Sequence, residues 1–91
     1  MEMKLLYLST ETCNVCKSLK PKVLDLIEEY NNINFIYINL TQNPEASGEY
    51  SVFAVPTIIF FVDGKEYFRE SRFVSIEAIK EKIDRIVEFS L

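Results

Sequence analysis

Two short apolar runs flank a segment of helical period, and that pattern restricts the possible folds of this chain more than any other feature. Residues 4–9 (KLLYLS) are almost continuously apolar and stop at a polar cluster, as a strand buried on both faces does. Across residues 13–30 the apolar positions Cys16, Leu19, Val23, Ile27 and Tyr30 recur at spacings of three and four, the stripe of an amphipathic helix. Pro21 falls inside that helix and removes one backbone hydrogen bond, so a single helix with a bend near residues 17–21 is expected. Asn31 and Asn32 end it, and residues 33–40 (INFIYINL) read as a second strand, rich in Ile, Phe and Tyr. Strand, helix and strand in succession imply a right-handed parallel crossover.

The second half changes character. Asn43, Pro44 and Glu45 place a capping residue, a helix-starting proline and a first-turn acid in order, which predicts a short helix to about Tyr50, weakened by Gly48. After Pro56 a strand is expected over residues 57–62 (TIIFFV), and Asp63-Gly64 is a two-residue hairpin signal leading into residues 65–70 (KEYFRE). Ser75 can cap a last helix with Glu77 in its first turn, and Ile76, Ile79, Ile83 and Ile86 mark its buried stripe as far as Val87. The order β-α-β-α-β-β-α, without repeat or linker, predicts one α/β domain over residues 1–91. With 48% hydrophobic residues in 91, such a domain buries about two thirds of its unfolded-chain surface and needs no cross-link to hold together.

A net charge of −4 argues against nucleic acid or an anionic membrane surface as partner, because both call for clustered Lys and Arg. The one local basic group, Lys17, Lys20 and Lys22, reads as a solvated helix face. The apolar run Leu5 to Leu8 is too short for the core of an export signal, and no stretch approaches the roughly 20 residues of a membrane span. A cytoplasmic, reducing setting is therefore expected, where cysteine pairs are usually catalytic or metal-binding.

Cys13-Asn14-Val15-Cys16 puts two thiols at i and i+3, facing each other across the first turn of the helix, where they can close a small disulfide. Cys13, at the helix start, is the expected nucleophile: unpaired N–H groups and the positive end of the helix dipole favour a thiolate, the attacking species in disulfide exchange. The dipole contributes about 0.3–1 kcal/mol, rising toward about 2 in partly buried sites, so further hydrogen bonds, from the Cys16 thiol for instance, or a nearby Lys17 or Lys20, are needed for a large effect. Cys16, deeper in the helix, would resolve the mixed disulfide. The chain contains no His, which excludes a Cys-His nucleophile pair and most zinc-hydrolase chemistry. Three other uses of the pair remain: half of a zinc or iron-sulfur site completed by a second chain or another ligand, two core cysteines at helical spacing, or a structural disulfide, whose tiny loop would constrain little chain entropy. No cofactor is called for by the dithiol reading.

Four motifs in order, CNVCK (Cys13 to Lys17, with Pro21 following), TQNP (Thr41 to Pro44), VPT (Val55 to Thr57) and DGK (Asp63 to Lys65), make the chain from Ser9 to Leu91 resemble the thioredoxin family. The resemblance implies a thioredoxin fold, with a four-stranded mixed sheet flanked by helices, starting at the strand before the CxxC and lacking the extra N-terminal strand and helix of full-length thioredoxins. It implies a dithiol/disulfide oxidoreductase acting on protein disulfides in cell redox homeostasis, as a monomer, with thioredoxin reductase or glutathione as electron source. A thioredoxin-fold binding module without catalysis is the alternative from another class. By the same resemblance Pro56 would be a cis-proline facing the CxxC, Val55 would offer its backbone to a substrate peptide, and Thr12 and Arg72 would line the substrate groove.

Five positions depart from the family pattern. Thr12 stands where a tryptophan usually precedes the first cysteine, Asn14-Val15 replaces Gly-Pro, and Arg72 replaces a glycine. Tyr7 occupies the place of the buried acid six positions before the first cysteine, leaving Glu11, through water, as the nearest candidate to receive the Cys16 proton.

Overall fold

The computed structural model describes residues 1–89. Strands β1 (Met3–Ser9), β2 (Ile33–Asn39), β3 (Thr57–Val62) and β4 (Lys65–Ser71) alternate with helices α1 (Asn14–Ile27), α2 (Glu45–Glu49) and α3 (Ile76–Phe89) in the expected order. They form one sheet in the order β2-β1-β3-β4, with β1 and β2 parallel and the other two pairings antiparallel.

β1 is buried on both faces because it is central. Met3, Leu5 and Tyr7 point into a core completed by Val23, Leu26 and Ile27 of α1, Ile58 and Phe60 of β3, and Ile79 and Ile83 of α3. Leu6 and Leu8 point the other way, to Ile59 and Val52. β2 has a similar apolar composition but lies at the sheet edge, so Ile36 and Tyr37 are left about two-fifths exposed (39% and 41%). Composition sets the strand, whereas its place in the sheet order sets its burial.

The Asp63-Gly64 turn has positive φ at both residues (50° and 83°), the backbone of a type I′ hairpin. Its Asp63 carboxylate also accepts from the Glu2 amide, which ties the chain start to the hairpin. Pro21 sits inside α1 without ending it. The helix stops at Ile27 rather than Tyr30, because the amides of Glu29 and Tyr30 tighten to i−3 bonds on Leu26 and Ile27. Ser75 caps α3 as expected, its hydroxyl accepting from the Ala78 amide at 3.1 Å. No helix among the described residues is long and apolar enough to cross a membrane.

Candidate active site

The register of the sheet gathers four loops at one end. Ser9 at the end of β1 pairs with Asn39 at the end of β2, Leu8 pairs with Thr57 at the start of β3, and Thr57 pairs with Ser71 at the end of β4. The segments that leave or enter the sheet at these points, 10–13, 40–44, 51–56 and 72–75, therefore share one rim.

Cys13 is the N-cap of α1, with extended backbone (φ −84°, ψ 98°). Its sulfur takes the place of the usual capping oxygen: the Cys16 amide donates to Cys13 Sγ at 3.1 Å. That position directs unpaired amides and the positive end of the helix at the sulfur, which favours its anionic form once the pair is reduced. Cys13 and Cys16 are joined in a disulfide with their Cα atoms 5.3 Å apart, well within disulfide reach. Cys13 is half-buried and Cys16 almost fully buried, at 2% exposure. One sulfur is thus presented outward and the other is held behind it.

Beneath Cys16 lies Tyr7, wholly buried, whose hydroxyl donates to the Cys16 carbonyl at 2.6 Å. Burial, with Tyr37 nearby, pushes the Tyr7 pKa up to about 12. A group that holds its proton so tightly cannot receive one from Cys16 at neutral pH. Glu11, the other sequence candidate, is exposed and turned toward the loop after β2, its amide on Thr41 and its carboxylate in reach of Gln42. Lys20 places its ammonium over the Tyr37 ring, 4.1 Å from the centroid, and Lys17 is exposed. A hydroxyl pair that the sequence does not signal, Ser9 and Tyr37 at 2.7 Å, links β1 to β2 at the same end.

Across the rim, the Val55–Pro56 peptide bond is cis. Neither the N–H nor the C=O of Val55 has a hydrogen-bond partner among the described residues. Pro56 is buried, and its carbonyl accepts from the Arg72 amide at 2.9 Å. The Thr57 hydroxyl bridges Ala54 O (2.6 Å) and the Ser71 hydroxyl (2.9 Å), so the loops before β3 and after β4 are tied at two places. Arg72 has φ 66°, in the left-handed region, which explains why a glycine suits this position. Thr12 is exposed immediately before the N-cap. Among the described residues no three His, Cys, Asp or Glu side chains come together as ligands for a metal ion.

The thioredoxin family model matches residues 2–85. The chain belongs to the thioredoxin family. It is 36% identical over 81 residues to the thioredoxin-like protein YdfQ of Bacillus subtilis, covering 89% of this chain and 72% of that one. It is 32% identical over 69 residues to a thioredoxin of Mycoplasmoides gallisepticum, covering 76% of this chain and 69% of the relative. Among solved structures, thioredoxin 1 of Thermosipho africanus superposes with a TM-score of 0.89 at 31% identity, covering 96% of this chain and 97% of that one. The fold is accordingly a minimal thioredoxin fold. With a Cys13–Cys16 pair at disulfide distance, this thioredoxin-family chain is a dithiol/disulfide oxidoreductase.

Proposed function

We propose that Cys13 is the attacking and Cys16 the resolving thiol of a protein disulfide reductase. The observation that carries the assignment is the capping position of Cys13, which gives one sulfur of the pair both exposure and the helix amides. In the cycle, the Cys13 thiolate attacks one sulfur of a substrate disulfide, the substrate's other sulfur leaves as a thiolate, and a mixed disulfide forms. The Cys16 thiolate then attacks Cys13 Sγ, the second substrate sulfur leaves, and the protein is left with the Cys13–Cys16 disulfide. One substrate disulfide becomes two thiols while one protein dithiol becomes a disulfide.

The substrate backbone pairs with the unpartnered N–H and C=O of Val55, as an added strand does, with Pro56, Thr12 and Arg72 around it. The Cys16 proton leaves to water, since Tyr7, though adjacent, keeps its own proton and Glu11 is turned toward Thr41 and Gln42. Thioredoxin reductase or glutathione, in a cytoplasmic setting, returns the electrons to the single-domain protein, which the reaction requires only as a monomer. Dithiothreitol-coupled reduction of insulin tests the reading, together with Cys16→Ser, which should accumulate mixed disulfides on Cys13 visible by mass spectrometry. No insulin turnover by the wild-type protein, or capture through Cys16 in a Cys13→Ser variant instead, would overturn it.

A further inference from the structure

Phe53 and Phe73 leave nearly their whole side chains in water, 91% and 93% exposed. A lone exposed phenylalanine needs no explanation. These two, however, sit on the two loops that are tied together around Pro56. Phe53 lies three residues before Pro56, within about 11 Å of chain. Phe73 follows Arg72, whose amide is bonded to the Pro56 carbonyl at 2.9 Å. The Phe73 amide is itself bonded to Ser71 O at 2.8 Å, closing a three-residue turn over Arg72 at its positive φ of 66°. Phe73 thus stands on a bonded turn, and Phe53 lies between two bonded residues, the Val52 amide on Ser47 O and the Ala54 carbonyl on the Thr57 hydroxyl. Val15, between the two cysteines and 63% exposed, adds apolar surface beside the disulfide.

We infer that Phe53 and Phe73 select the substrate: a disulfide-bearing segment with large apolar side chains flanking its cysteine, and a carboxylate that meets Arg72. The inference rests on the disulfide-reductase reading above. A segment pairing with Val55 runs extended, and its side chains alternate, so residues two before and two after the cysteine face the same way as its sulfur. On this inference those positions belong to the two rings, one on each loop beside Pro56. Arg72 is exposed and forms no ion pair among the described residues, so its guanidinium is available to an acid of the same segment. The protein carries −4 overall, which makes this local cation a discriminating feature rather than part of a general basic surface.

The test compares two synthetic peptide disulfides that differ only at the positions two either side of the cysteine, Leu and Phe in one and Ser in the other. Wild-type protein should favour the apolar peptide by about 100-fold in kcat/KM, expressed mainly in KM. Phe53→Ser and Phe73→Ser should each cut that ratio about tenfold, equivalent to about 1.4 kcal/mol. A glutamate beside the cysteine should add about threefold at low ionic strength, an advantage lost in Arg72→Gly and in high salt. A wild-type ratio near one, or variants that slow both peptides equally through kcat, would overturn the inference. Reduction of hydroxyethyl disulfide separates the two levels. If the wild-type protein reduces that small molecule without discriminating the peptides, only the selectivity inference fails; if it reduces no disulfide at all, the reductase reading fails and takes the inference with it.

Discussion

Replacing Tyr7 by phenylalanine should leave the protein less sensitive to alkali. Tyr7 is wholly buried, its hydroxyl is bonded to the Cys16 carbonyl, and its pKa is pushed up to about 12, first by burial and then by Tyr37. A tyrosine that binds its proton more tightly folded than unfolded contributes a stability that is fully present below its unfolded pKa, near 10. That contribution is lost as pH climbs toward 12. At one unit above the unfolded value and one below the folded value, near pH 11, the loss is about 1.4 kcal/mol, and the full shift of two units amounts to about 2.7 kcal/mol. Against a total of about 5–14 kcal/mol for a domain of this length, either figure is measurable. Tyr30, held by Asp84 and likewise raised to about 12 mainly by burial, adds a parallel loss, discounted because its ring is partly solvated.

Urea denaturation of the oxidised protein at pH 8, 10 and 11 measures this, with the cysteines tied in their disulfide and contributing no titration. At pH 8 Tyr7→Phe should be less stable than wild type by about 1 kcal/mol, for the lost hydrogen bond. By pH 11 the variant should have closed that gap, because it lacks the group whose ionisation destabilises the wild type. With five tyrosines and no tryptophan, tyrosinate absorbance follows the same event directly, and its latest component should shrink in the variant. Equal losses in the two proteins between pH 8 and pH 11 would refute the reasoning.

The remaining predictions concern the loops and the last helix. Arg72→Gly should raise stability by about 0.5–1 kcal/mol, since relief of a left-handed φ of 66° outweighs the entropy a glycine adds to the unfolded chain; calorimetry would show it as a rise in Tm. Ser75→Ala removes the cap of α3 and should cost about 1 kcal/mol, seen as a Tm lower by about 4–8 °C.

The elements were legible in the sequence where a local rule fixes them. Thr57–Val62 and its Asp63-Gly64 turn follow from a β-branched and aromatic run meeting the one dipeptide that suits positive φ twice, and the Ser75 cap follows from hydroxyl chemistry three residues before the amide it serves. Sheet order obeys no local rule, so nothing in INFIYIN marks β2 as an edge strand with Ile36 and Tyr37 half in water. The same limit applies to side-chain pairs far apart in the chain, such as Ser9 with Tyr37. Phenylalanines show it most plainly: Phe60 and Phe68 stack at 5.2 Å at the core, while Phe53 and Phe73 are exposed, and the residue type is identical. The CxxC was legible because it occupies four consecutive residues at a helix start. Which residues share its rim was only partly so, through the placement of Val55, Pro56 and Arg72, because that rim is assembled from loops that the sheet register brings together.

What the site favours electronically follows from the same placement. The helix start stabilises an anion on Cys13 by about 1 kcal/mol, and this acts on the dithiol form, since the disulfide carries no charge. At about 1.4 kcal/mol per 30 mV, that displaces the couple toward the oxidising side by about 20 mV. Tyr7 works through neither charge nor proton transfer: it remains neutral at ordinary pH and holds the Cys16 carbonyl by a hydrogen bond. A buried carboxylate in its place would repel the thiolate and accept a proton. Here neither effect operates; in the proposed cycle helix capping poises Cys13, and the Cys16 proton passes to water beside the half-buried Cys13.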